Sequence, residues 1–183
     1  MQKTRKSTEA NLSQIVMSWL KRYQKIQELS QIRNAEGEAI ALSNFDRTLA
    51  WEIGCCAKSL AEDLGANNFV IDITLESGQI LFHAMSGSKI MLDDEEWVRK
   101  NCNTAIKRGF STYILTTYVS KYNKENGILV ENTLYNAGGV PIRLKESKSI
   151  VGALTIRATR DERDHWVAIE TLHRFVQKNQ KST

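Results

Sequence analysis

Asn136-Ala137-Gly138-Gly139-Val140-Pro141-Ile142 is the stretch that decides the fold of this 183-residue chain, and Pro141 is its single proline. Glycines open backbone conformations closed to other residues, while proline fixes φ and removes a ladder donor. The run therefore marks a tight entry into a strand near a sheet edge or end. Downstream, Val140, Ile142 and Leu144 alternate with Pro141 and Arg143. A turn over residues 145–149 follows, and Ile150, Gly152, Leu154 and Ile156 then line one face of a returning strand. Thr159 and Glu162 have capping-box spacing for a last helix whose Ile169, Leu172 and Val176 face inward.

Upstream, Phe69, Ile71, Ile73 and Leu75 alternate with Val70, Asp72 and Thr74. Glu76-Ser77-Gly78 joins them to an extended run over residues 79–85, which predicts a second hairpin. Leu12, Ile15, Val16, Trp19, Leu20, Tyr23, Ile26 and Leu29 recur at the helical period and predict a long amphipathic helix over residues 11–29. Its stripe serves either as a cover for its own core or as an arm reaching a partner. After a break at Gly37, residues 38–42 read as a short strand. A second helix begins within residues 43–46 and runs to Leu64, with Gly65 just past its end.

Asp93, Asp94, Glu95 and Glu96 open another helix whose far end carries Lys107 and Arg108 before Gly109, as the helix dipole favours. The acidic cluster reads as dipole and solubility chemistry rather than a metal site. Residues 111–120, rich in Thr, Tyr, Ile, Leu and Val, leave helix and strand both open, and residues 121–127 read as a surface loop. The organisation that results is an N-terminal helical arm over 1–34, one α+β domain over 35–178 and a disordered tail over 179–183.

Composition narrows the class. Cys55 and Cys56 are adjacent and Cys102 is the only other cysteine, so there is neither a disulfide framework nor a zinc-ligand spacing, and a reducing compartment is the simplest setting. The net charge of +4 comes from Lys and Arg gathered toward both ends, with no basic stripe of stacking aromatics, so nucleic acid is not the expected partner. No run of about 18 apolar residues occurs, so no membrane partner is expected either. The chain reads as soluble and cytoplasmic. Walker, dinucleotide, nucleophile-elbow, HExxH and CxxCH motifs are all missing from the sequence.

Three segments, Gly138-Gly139-Val140-Pro141-Ile142, Ile150-Val151-Gly152-Ala153-Leu154 and Asp161-Glu162-Arg163-Asp164-His165, together resemble the C-terminal signature of the GlcG/HbpS-like superfamily, the so-called haem-degrading domain. Ile71-Asp72-Ile73, Leu81-Phe82-His83-Ala84, the run from Asp93 to Lys100, Lys107-Arg108-Gly109-Phe110-Ser111-Thr112 and Asp164-His165 resemble a branch of small uncharacterised cytosolic proteins of bacteria and fungi. The similarity spans residues 39–176. It implies a profilin-like α+β domain, an antiparallel sheet covered by helices, in members that assemble as dimers or larger rings. It also implies haem binding in some members, and one fungal member is implicated in protein targeting. This chain departs from the branch at Phe110 and Ala137, where histidines are usual, and at Arg157-Ala158, where Ser-Gly is usual.

Candidate ligand-binding residues follow. The turn at Asn136, Gly138 and Gly139 either presents backbone N–H groups as an anion nest or serves strand entry alone. Tyr135 and Arg157 would flank that cleft with a phenol and a fixed cation. His165, with Asp164 beside it, is the leading histidine, its alternative being packing at the helix start; His83 would share a strand face with Leu81 and Met85, and His173 lies on the last helix. The expectation is a soluble homo-oligomeric, non-catalytic binding protein for a small anionic or tetrapyrrole ligand, haem being the cofactor in view. The alternatives are an oligomeric interaction scaffold or targeting-associated factor, and an enzyme on a small oxygenated metabolite.

Overall fold

Both expected hairpins form, β1 (Phe69–Leu75) with β2 (Ile80–Ser86) and β3 (Gly139–Arg143) with β4 (Ile150–Arg157). β1 and β4 also pair antiparallel, giving one four-stranded sheet in the order β2-β1-β4-β3. The structure is a computed structural model that describes residues 29–125, 137–158 and 162–180. The helix expected over 11–29, Tyr135, Asn136 and Thr159 fall outside the described residues, apart from Leu29 itself. Five helices complete the described fold: α1 (Leu29–Ala39), α2 (Arg47–Asp63), α3 (Leu92–Arg108), α4 (Thr112–Glu125) and α5 (Glu162–Gln180). The architecture is the α+β class with an antiparallel sheet that the sequence implies.

Strand alternation sorts the two sheet faces. Phe69, Ile71, Ile73, Val140, Ile142, Leu154 and Ile156 share one face, each at most 1% exposed, and α2 and α5 cover it with Ala50, Ile53, Ala57, Leu60, Ile169 and Leu172. On the other face stand Val70, Asp72, Thr74, His83, Ala153, Thr155 and Arg157, and α3 lies across them through Val98, Cys102 and Ala105. α1 and α4 pack together beside the β3 edge.

The glycine pair has a steric reason. Gly138 holds φ at 121°, and a Cβ there would lie 2.2 Å from the Ile156 carbonyl oxygen. A Cβ on Gly139 would lie 2.8 Å from the Asn101 carbonyl oxygen, so the strand entry is pressed against β4 on one side and α3 on the other. Pro141 sits on an outer strand, where its missing donor is tolerated.

Several local expectations change. Gly37 lies inside α1, its Cα facing the Arg143 side chain, and the expected strand over 38–42 reduces to a single parallel bridge of Leu42 with Leu144. The expected boundary at 34/35 therefore falls within a helix. Residues 112–125 are helical, so residues 121–125 of the expected loop are helix, and 126–127 lie outside the described residues. Thr116 and Thr117 return their hydroxyls to the carbonyls of Thr112 and Tyr113, four residues back, which absorbs β-favouring side chains into the helix. α5 continues to Gln180, into the expected tail. A bulge between Ile73 and Thr74 in the β1–β2 register sets Ile80 opposite Thr74, so Ile80 rather than Leu81 shares the face of His83.

Candidate functional site

α3 begins with an anionic turn, and its acidic residues do not share one fate. Asp94, at the third helical position, accepts from the Met91 backbone N–H through Oδ2 (3.1 Å), closing the helix start, and from Arg157 Nε through Oδ1 (3.1 Å). Asp94 and Arg157 are 6% and 10% exposed at the side chain, so this is a desolvated ion pair rather than a solubility device. The guanidinium carbon also lies 5.6 Å from the Trp97 ring centroid, and Arg157 Nη1 is buried with no hydrogen-bond partner among the described residues. Beside it opens a groove of about 540 Å³ walled by Asn68, Ser88, Lys89, Met91 and Arg157.

On the β2 side of α3 a second groove, about 570 Å³, holds Asp72, Thr74, His83, Glu95, Arg99 and Asn103. Thr74 Oγ1 donates to Asp72 Oδ1 (2.5 Å), Asp72 Oδ2 faces His83 Nδ1 (3.0 Å), and Glu95 Oε1 faces His83 Nε2 (3.2 Å). Asp72 is buried while His83 and Glu95 are about one third exposed. Burial pushes the nearby Cys102 thiol up to about 11, which keeps it protonated at neutral pH. Among the described residues no cluster of three or more metal-ligating side chains occurs.

Among the described candidates, Gly138, Gly139, Asp164, His165 and Arg157 do not line one cleft. Gly139 donates its backbone N–H to Thr112 Oγ1 (3.0 Å), so that group is not offered to an anion, and Gly138 is held against β4, its carbonyl accepting from Ile156 N–H. Asp164 is buried and accepts from the Ala158 backbone N–H through Oδ2 (3.2 Å), tying the start of α5 to the end of β4. His165 is fully buried, stacked on Tyr113 (4.7 Å between centroids) and edge-on to Trp166 (4.6 Å). Neither of its ring nitrogens has a hydrogen bond within the described residues, Glu36 Oε2 lies 3.8 Å from Nε2, and burial drives its pKa down to about 3. Arg157 stands on the α3 side of the sheet, and His165 on the helix that covers the other side. Among the described candidates, Arg157 lines the first groove and His83 the second.

Asn68, Lys89, Asp94, Asp72 and Glu95 were not expected at a site. Asp72 carried a signal, a carboxylate at an alternating strand position; Asp94 and Arg157 are 63 residues apart and carried none.

Comparison with known proteins follows the same architecture. A UPF0303 protein of Rhizobium leguminosarum bv. trifolii is 30% identical over 156 residues, covering 84% of this chain and 92% of the relative. The crystal structure of the Ybr137w protein, known from Saccharomyces cerevisiae as a UPF0303 protein, superposes with a TM-score of 0.71 at 24% identity over 90% of this chain and 96% of that one. The PduOC:heme complex shares the fold at a TM-score of 0.53 and 18% identity, over 74% of this chain and 95% of that one. Residues 45–173 match the family model described as haem degrading protein HbpS-like, and this segment contains both grooves and the whole sheet. The chain belongs to the HbpS-like family.

Proposed function

We propose that this protein binds a small ligand through an anionic group held beside Arg157. The carrying observation is the guanidinium itself: Nε is anchored on Asp94, the plane is braced by Trp97, and Nη1 is buried without an acceptor among the described residues, on a side chain that walls an open groove. A planar cation fixed in this way recognises a carboxylate or phosphate at little further entropic cost. Lys89 adds a second positive charge and Asn68 and Ser88 add polar groups. The role read for this groove is to hold a ligand rather than transform it.

Haem is one version of this ligand. Its propionates suit Arg157 and Lys89, and the thioether of Met91 is a soft donor on the same wall. His165 offers no iron ligand while it stays packed between Tyr113 and Trp166. Assembly as a cytoplasmic homo-oligomer belongs to the same reading: β2 is an outer strand, and its Ile80 and Met85 are 58% and 51% exposed. Light scattering of the full chain, beside a variant lacking residues 1–34, tests assembly; a monomer in both would remove it.

Titration with haemin and with metal-free protoporphyrin IX, followed by tryptophan fluorescence, tests the ligand reading. Arg157→Ala and Lys89→Glu should each weaken both porphyrins about tenfold or more, and a Soret shift with haemin would add iron ligation. Flat titrations of the wild type, or equal affinities in the variants, would overturn it.

A further inference from the structure

We infer that the groove on the β2 side of α3 is a proton-transfer site in which His83 is the general acid–base, Asp72 its positioning residue and Glu95 a displaceable plug. The inference rests on different side chains from the Arg157 groove and stands whether or not that groove binds an anion. Asp72 is buried, and its two oxygens are committed, one to the Thr74 hydroxyl and one to His83 Nδ1. A buried carboxylate on Nδ1 holds the proton there and directs Nε2 outward as the basic atom. Nε2 points into the groove of about 570 Å³, where Glu95 Oε1 occupies the position a substrate proton would take. Glu95 is on the first turn of α3 with its side chain 37% exposed, so it can swing out without disturbing the core.

The groups facing His83 are Asp72 and Thr74 from β1 and Glu95, Glu96 and Arg99 from α3. Thr74 donates its hydroxyl to Asp72 and burial keeps the Cys102 thiol protonated, so the His83 ring is the group of this groove poised for proton transfer. A substrate with an acidic C–H or O–H, entering in place of the Glu95 carboxylate, gives its proton to Nε2 and keeps the electron pair. The other proton stays on Nδ1, hydrogen-bonded to the Asp72 carboxylate, and the imidazolium returns its Nε2 proton to the product. Arg99 and Asn103 on the rim suit a substrate bearing oxygen that gains negative charge.

The general-base probe 5-nitrobenzisoxazole tests this without knowledge of the natural substrate: loss of its C–H proton breaks the N–O bond and releases a coloured phenolate. Full-length Glu95→Ala should eliminate it at least about tenfold faster than Glu95→Ala/His83→Ala, with His83→Gln as the alternative blank if the double variant unfolds. Adding Asp72→Asn should remove most of that difference and scramble the single Nδ1–H tautomer expected in imidazole ¹⁵N spectra of Glu95→Ala. Equal rates for Glu95→Ala and its His83-less blank would overturn the assignment, as would a tautomer unchanged by Asp72→Asn.

Discussion

Covered by α2 and α5, one side of the sheet carries aliphatic and aromatic side chains that are almost wholly buried; the other side, covered among the described residues by α3, carries Asp72, Thr74, His83, Thr155 and Arg157. The same four strands feed both. A sheet needs a dry face on only one side to be stable, and here the second face supports two grooves instead. Each buried charge on it is matched: Arg157 with Asp94, and Asp72 with the Thr74 hydroxyl and the His83 ring.

The largest way to break the comparison is to damage the dry face. Leu154→Ala, at a fully buried position between β1 and β3, should cost about 3–5 kcal/mol in urea unfolding with the denaturant slope unchanged. On the polar face the desolvated pair should come next. Arg157→Met removes the buried countercharge of Asp94 and should cost about 3 kcal/mol; adding Asp94→Asn should recover part of that loss, and strict additivity in this cycle would show that the pair is not coupled.

A third test uses acid. His165 is neutral in the fold down to about pH 3, while the unfolded chain takes up a proton near 6.5, so protons favour the unfolded state below that point. Stability should be unaffected by this residue above pH 6.5 and should fall by about 2 kcal/mol between pH 7 and pH 5. His165→Phe, which keeps a ring against Tyr113 and Trp166, should flatten that slope. The smallest effect belongs to the open groove: His83→Gln should change stability by less than about 1 kcal/mol, because the ring is partly exposed and its link to Glu95 is solvated. A larger loss there would make His83 a structural clamp.

Much of the fold was legible because it rests on local periods. The alternation of Phe69, Ile71 and Ile73 with Val70, Asp72 and Thr74 already separates the two faces, and the glycine pair with Pro141 locates the edge strand entry. Asp46 capping α2 through Leu49 and Gly109 closing α3 with φ at 68° follow from single residues. The site was less legible because its contacts are long-range. Opposing Asp72 to His83 depends on hairpin register, and a bulge lies one position beyond that pair's neighbour. Arg157 was noticed as a cation, but nothing local tied it to Asp94. His165 misled for a clear reason: amphipathic reasoning assigns a helix one buried face, yet α5 is buried continuously from Asp164 to Leu172, wrapped by the sheet, α2 and α4. In such a helix a histidine has no open side to offer.

The first turn of α3 places Asp94 against one groove and the neighbouring Glu95 against the other, so a single peptide unit forms the partition between two chambers of opposite character. Whoever re-engineers one chamber inherits the other. Enlarging the cationic side by moving this turn also shifts the lid over the imidazole, and the two specificities can be retuned separately only by changes on the strands.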